Sequence, residues 1–255
     1  MINSSSLIIN QPNNLTGEIF IPGDKSITHR AIMLGSLSNG RLDIKNSLLS
    51  EDCKRTIDAF IKLGVDITID DTTISIYGKG LNALKPPCSI IDAGNSGTLA
   101  RLISGVLAVQ NFDSSISGDS SLVKRPMKRI IDPLTVAGAN ISSNDNLMPL
   151  SFKQSGKLKV INYTCLIPSA QIKSCLVLAS LFLDGTSIIK ETIKTRDHTE
   201  RMLQFLDYPI SIDDKIISIN GKGTIVAKDI RIPSDISSAS FLIVGALIAP
   251  NSNII

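Results

Sequence analysis

The sequence predicts an α/β protein built from a repeated β-α-β-α-β-β unit, and three observations carry that prediction. Four segments share one pattern, a small polar turn running into an apolar-periodic helix. Their serines Ser26, Ser96, Ser169 and Ser237 lie 70, 73 and 68 residues apart. A near-constant period of this size marks a repeated supersecondary unit. After the first three of these helices come a short β-rich run, a second helix and an alternating pair of strands, an order that argues for the α/β class. Finally, Gly64 and Gly138 stand where the second helices of the first two units should end, as helix C-caps do.

The first unit opens at Pro22-Gly23-Asp24-Lys25-Ser26-Ile27-Thr28-His29-Arg30, a turn and a capping acid followed by a helix with Ile27, Ala31 and Leu34 on its apolar stripe. Spacing of four puts Ser26 and Arg30 on one face, and Lys25 and His29 on another. A β-run at 42–46, a helix at 51–63 and strands at 65–70 and 73–77 complete it. The second unit opens at Asn95-Ser96-Gly97-Thr98-Leu99-Ala100-Arg101, with Leu102, Ile103, Val106 and Leu107 as stripe; a strand at 114–118 and a helix at 124–137 follow. The third opens at Pro168-Ser169-Ala170-Gln171-Ile172-Lys173-Ser174, with a strand at 187–191, a helix at 196–206 and strands at 209–213 and 216–220. A fourth opens at Pro233-Ser234-Asp235, predicts a helix ending near Ala249 and reaches one strand at 253–255. It stops about 23 residues into a unit of the repeat, so the pattern predicts a unit without its remainder, with 244–248 and Ile254-Ile255 short of apolar partners. The apolar run 239–249 reads as a buried helix.

Across 255 residues, 43% apolar content is ample for a core, while 4% aromatics and no Trp make that core mostly Ile, Leu, Val and Ala. A net charge of +3 is too weak to imply nucleic acid, and no apolar run is long enough to span a membrane. The cations gather instead at helix starts and post-strand loops: Lys25, Arg30, Arg101, Lys124, Arg125, Lys128, Arg129, Lys173 and Arg196. That distribution suits a small polyanionic ligand. Cys53, Cys88, Cys165 and Cys175 show no C-x-x-C spacing and no signal-peptide pattern precedes them, so reduced thiols and a cytoplasmic location are expected. Two histidines and scattered acids give a metal site little to build on.

A helix N-terminus presents free N–H groups and the positive end of its dipole, which attracts phosphate or carboxylate. Lys25, at a turn-to-helix junction, is therefore the leading candidate for chemistry, able to reach an anion shared by two ligands. Gly97 permits close approach of backbone to phosphate. Arg125, in the stretch 118–127 and held by Pro126, can grip an oxyanion bidentately. Arg196 repeats the pattern, although Asp197 and Glu200 offer it simple ion-pair partners. Ser169 and Gln171 can read hydroxyls or phosphate oxygens, and Ser169 can equally serve as an N-cap. His29 and His198 read as structural hydrogen-bonders; Asp52, Asp58 and Asp132 read as helix-face charges.

The stretches 22–37, 92–108, 117–134, 168–181, 195–203 and 233–241 together resemble the 5-enolpyruvylshikimate-3-phosphate synthase family, in the family's order and across essentially the whole chain. The resemblance implies an inside-out α/β barrel. One domain would comprise three repeats (17–222), with 1–16 and 223–255 belonging to a second. It also implies a transferase of chorismate and aromatic amino acid biosynthesis, moving the enolpyruvyl group of phosphoenolpyruvate to the 5-hydroxyl of shikimate 3-phosphate by addition and elimination. It further implies that neither metal nor organic cofactor would take part, that the full-length enzyme would be a monomer, and that neither nucleic acid nor membrane would be a partner. Lys25, Ser26, Arg30, Ser169, Gln171 and Arg196 would bind shikimate 3-phosphate; Lys25, Gly97, Arg125 and Gln171 would bind phosphoenolpyruvate, in the pocket that glyphosate occupies. Lys25 is the catalytic candidate within the chain, and the catalytic Asp and Glu of the family would lie beyond Ile255. Two alternatives stand beside this reading. A sister transferase acting on UDP-N-acetylglucosamine needs a reactive Cys in the loop 117–127, which has none; its thiol would have to be Cys88, read as a buried strand residue. The second is a non-catalytic, shikimate 3-phosphate-binding fragment or pseudoenzyme.

Overall fold

A computed structural model describes residues 14–156 and 158–255. After strand β1 (Thr16–Gly17), the first unit comprises α1 (Lys25–Leu37), β2 (Asn39–Lys45), α2 (Glu51–Lys62), β3 (Asp66–Asp70) and β4 (Thr73–Lys79). The second comprises β5 (Ile91–Asp92), α3 (Gly97–Leu107), β6 (Ser114–Ser117), α4 (Lys128–Val136), β7 (Asn140–Asn144) and β8 (Leu147–Lys153). The third is β9 (Asn162–Cys165), α5 (Ala170–Ser180), β10 (Thr186–Glu191), α6 (His198–Phe205), β11 (Ile210–Asp213) and β12 (Ile216–Asn220). β13 (Ile230–Arg231), α7 (Ile236–Ile248) and β14 (Asn253–Ile254) close the chain.

Each unit makes one four-stranded sheet, and the three sheets share one order: β13-β2-β4-β3, β5-β6-β8-β7 and β9-β10-β12-β11. In the second and third units the strand before the first helix pairs in parallel with the strand after it. Among the described residues the first unit has no such strand of its own. Ile230 and Arg231 take the place, in register with Ile44 and Lys45. Ile225, Ile230 and Ile232 are buried with the core of this body.

The helices α1, α3 and α5 lie inside and the sheets outside. Ten of thirteen residues of α1, and nine of eleven in each of α3 and α5, are buried. This is an inside-out arrangement, in which the first helix of each unit lies in the core and the strands turn a polar face to solvent. α3 and α5 approach so closely that a Cβ on Gly105 would sit 2.1 Å from the carbonyl oxygen of Cys175. The second helices end alike. Gly64 and Gly138 carry φ of +87° and +105°, and Val65 N–H reaches back to the Phe60 carbonyl as Ala139 N–H does to that of Leu134. In the third unit Asp207, at φ 55°, takes that left-handed position, and the three hairpins turn at Asp71, Asp145 and Asp214, all near +50°.

Three expectations need correction. The helix predicted over 124–137 is broken: Leu122–Lys124 form a 3-10 turn, Arg125 is extended and the helix begins at Lys128. Pro126 is the cause, because its ring excludes the preceding residue from the helical region. α7 has no buried residue, with Phe241 84% and Leu247 80% exposed, although its apolar content predicted burial. Among the described residues its partners are the flanking segments, with Leu15, Ile19 and Ile21 beneath one side. Cys88 is exposed in the loop before β5, where Pro86 and Pro87 prevent a strand. The expected N-terminal strand of 1–16 lies mostly outside the described residues; Thr16–Gly17 pair in parallel with Asn253–Ile254.

Candidate anion-binding site

The N-termini of α1, α3 and α5 gather the candidate residues. Each is capped by a side chain, at Asp24 and Ser169 as the sequence indicated: Asp24 accepts from Ile27 N–H at 2.7 Å, Ser96 from Leu99 N–H at 3.1 Å and Ser169 from Ile172 N–H at 3.5 Å. Capping satisfies one free N–H per helix and leaves others available to a ligand.

Ser26, Arg30, Gln171 and Arg196 line one small cleft together with Thr98, Ala170 and His198. Arg30 is nearly buried and rigidly held. Its Nε donates to Thr199 Oγ1 at 2.8 Å, Nη1 to the Ser26 carbonyl at 2.9 Å and Nη2 to Ser174 Oγ at 2.9 Å. Burial lowers its pKa to about 10; Glu200 opposes the shift and the Arg196 charge adds to it. His198 also faces these cations, and its pKa is lowered by burial and then by Arg30. Arg196 is exposed and, among the described residues, makes no hydrogen bond or ion pair. Glu200, a partner the sequence offered it, is buried against Lys173 instead.

A second group lies beside the cleft. Cβ built on Gly97 would fall 2.9 Å from Arg101 Nη1 and 3.2 Å from Arg125 Nη1, so two guanidinium groups converge on this glycine. Arg125 Nη2 donates to Asn95 Oδ1 at 2.6 Å, and Asn95 donates to Asp119. Asp119 in turn caps the 3-10 turn by accepting from Ser121 and Leu122 N–H. Burial lowers the Arg101 pKa, and Arg125 and Arg129 lower it further. Gln171 joins the two groups: its Oε1 accepts from Arg101 at 2.9 Å and its Nε2 donates to Thr98 Oγ1 at 3.0 Å.

Lys25 points along a different line. Its ammonium pairs with Asp52 at 3.1 Å, with about half the lysine side chain exposed. Such a pair contributes about 0–1 kcal/mol, so a ligand anion can replace Asp52 at small cost. Asp52 is thus a partner of the leading candidate and not a bare helix-face charge. Lys128 and Asp132 pair within α4 at 2.9 Å. Lys173, counted among ligand-facing cations from sequence, is buried between Glu191 and Glu200 at 2.9 and 2.6 Å and is not available to a ligand. Ser169 acts as the α5 cap and is absent from the cleft lining.

Of the two histidines, His29 behaves as a structural group, while His198 lines the cleft. His29 is buried with Nδ1 2.7 Å from Thr56 Oγ1, and burial lowers its pKa to about 4. Burial also holds the thiols protonated, raising Cys53 and Cys165 to about 11 and Cys175 to about 12. Exposed Cys88 lines a separate groove with Asp113 and Phe152. Among the described residues no three His, Cys, Asp or Glu side chains gather as a metal site, and no helix is long and apolar enough to cross a membrane.

Sequence reasoning grouped Arg101 with the helix-start cations without giving it a site role, passed over Thr98, and read His198 as structural although it lines the cleft. Arg101 carried a signal: it lies four residues after Gly97 and so projects over the same face of the helix start.

Residues 9–255 match the family model described as EPSP synthase (3-phosphoshikimate 1-carboxyvinyltransferase). The chain is 49% identical over 250 residues to the 3-phosphoshikimate 1-carboxyvinyltransferase of Ruthia magnifica subsp. Calyptogena magnifica, covering 98% of this chain and 58% of that protein. The corresponding protein of Vesicomyosocius okutanii is 50% identical over the same shares. An EPSP synthase structure from Acinetobacter baumannii superposes with a TM-score of 0.89 at 41% identity, covering 96% of this chain and 56% of that one. The chain thus spans about 58% of the length of these curated relatives. Motif order, fold and identity agree, and the chain belongs to the EPSP synthase family.

Proposed function

We propose that this chain carries the shikimate 3-phosphate side of a 3-phosphoshikimate 1-carboxyvinyltransferase. The observation that supports it best is a set of guanidinium groups, Arg30 and Arg196 in the cleft and Arg101 and Arg125 beside it, for which the described residues supply no ion-pair partner. Arg30 and Arg196 each bear on the cleft, and the field of Arg196 makes the Arg30 charge harder to hold. Keeping Arg30 charged while its pKa falls from 12.5 to about 10 costs on the order of 3 kcal/mol. A bound phosphate would offset part of that cost. In this reading Arg30, Arg196, Ser26 and Gln171 take shikimate 3-phosphate, with Ser169 at its edge. Arg125, Gly97 and Gln171, with Arg101 added, take phosphoenolpyruvate, and Lys25 leaves Asp52 to stand between the two.

The reaction joins the 5-hydroxyl oxygen of shikimate 3-phosphate, as it gives up its proton to a base, to C2 of phosphoenolpyruvate, while the C2–C3 double bond opens and C3 gains a proton. It then expels phosphate as C3 returns a proton, restoring the enol ether double bond. The residues of this chain hold two phosphates and two carboxylates close together, which requires several fixed cations. The three-repeat body with β13 would be one domain, and the segments after the Gly23–Ser234 crossing would belong to another. In this reading the division falls near Pro233, later than the bound after residue 222 that the resemblance implies, because Ile225, Ile230 and Ile232 pack with the body.

Calorimetric titration of shikimate 3-phosphate into the chain tests the proposal, with UDP-N-acetylglucosamine as control. Saturable binding of the first alone is expected. Arg196→Ala should weaken it by about 10–100-fold, the range for a hydrogen bond to a charged group. Equal response to both compounds, or none to shikimate 3-phosphate, would overturn it.

A further inference from the structure

We propose that Lys173, Glu191 and Glu200 form a buried positioning cluster that sets the pose of Arg196 toward the ligand phosphate; this rests on the function proposed above. Lys173 Nζ lies 2.9 Å from Glu191 Oε2 and 2.6 Å from Glu200 Oε1, with the lysine and Glu200 side chains each 1% exposed. The other oxygen of Glu191 accepts from both the N–H (3.0 Å) and the hydroxyl (2.5 Å) of Thr195, and Lys173 Nζ reaches the Thr195 carbonyl at 3.5 Å. Every polar atom of the residue before Arg196 is therefore tied to the cluster, while the Arg196 side chain makes no hydrogen bond or ion pair among the described residues.

The cluster also spans the elements that hold Arg30. Lys173 and Ser174 are neighbours on α5, and Thr199 and Glu200 are neighbours on α6. Ser174 and Thr199 bond to Arg30 and to each other, while Lys173 and Glu200 pair beside them. One α5–α6 contact thus fixes both guanidinium groups of the cleft, Arg30 directly and Arg196 through its loop. A buried ion cluster of this kind contributes little to stability compared with apolar packing of the same volume, so its geometry is its use. Pre-setting the loop lowers the ordering cost when a ligand binds.

Thr195→Val keeps the shape and the N–H but removes the hydroxyl. Hydrogen exchange of the 192–197 amides in the ligand-free chain should quicken, and shikimate 3-phosphate affinity should fall about 5–10-fold, the effect of one typical hydrogen bond. Unphosphorylated shikimate should bind as before, and Thr195→Ser should restore both readouts. In an Arg196→Ala background, Thr195→Val should add no further loss. Unchanged exchange in Thr195→Val, or an additive loss in the double variant, overturns the positioning role. Absence of shikimate 3-phosphate binding to the unaltered chain overturns the functional reading instead, and the exchange measurement separates the two failures.

Discussion

Replacing Lys173 with methionine keeps a long side chain but removes the cation between two buried carboxylates. Both acids sit within 3 Å of the ammonium, and their side chains are only 6% and 1% exposed. Breaking a buried pair by deleting one partner costs about 3–5 kcal/mol, because an uncompensated charge is left in a poorly solvated place. The loss should depend on pH. Burial already raises the Glu200 pKa above 4.5, opposed first by its hydrogen bond to Lys173 and then by the lysine charge. Lys173→Met removes both opposing effects, so the carboxyl rises further. A carboxyl with a raised folded pKa contributes stability that is fully present below its unfolded pKa and lost as pH rises through the folded value. The deficit should therefore be largest near pH 8 and shrink by up to about 1.4 kcal/mol per unit below the new folded pKa. Urea unfolding of both proteins near pH 8 and pH 5.5 measures this. A deficit under about 1 kcal/mol, or one equal at both pH values, would refute the reasoning.

Other expectations follow from the same geometry. Gly105→Ala forces α3 and α5 apart, since the new Cβ would lie 2.1 Å from a carbonyl oxygen; a loss of about 1–3 kcal/mol should show as a lowered Tm. Gln171→Ala removes the bridge between Arg101 and Thr98, and calorimetry should show weaker binding of phosphoenolpyruvate and shikimate 3-phosphate alike. His29 has a folded pKa lowered to about 4, so its contribution is present above pH 6.5 and lost as pH falls toward 4. That loss amounts to about 3 kcal/mol, and denaturant titrations of His29→Gln should show a shallower acid limb.

The repeat was legible because its signals are local. Caps at Asp24 and Ser169, apolar stripes and the closing residues Gly64 and Gly138 act within one turn of helix. The site residues on those helix starts could be read for the same reason. What escaped depends on distance along the chain. Lys173 looked ligand-facing because its partners Glu191 and Glu200 lie 18 and 27 residues later, on a strand end and another helix. The strand completing the first sheet comes from Ile230–Arg231, about 186 residues from its partner, and no periodicity announces such a pairing. Composition misled in α7, where apolar content predicted burial that the described residues do not supply. Pro126 was visible, but its effect on Arg125 was read as support for a guanidinium and not as the break before a helix.

The central claim is that three helix N-termini make one anion site. Backbone amide chemical shifts recorded during titration with shikimate 3-phosphate test it most directly. The account predicts saturating shifts together at Ser26, Thr98, Ala170, Gln171 and Arg196, with one apparent affinity. Shifts confined elsewhere, such as the groove of Met202, Phe205 and Arg231, or no saturating shifts at these residues, would contradict it.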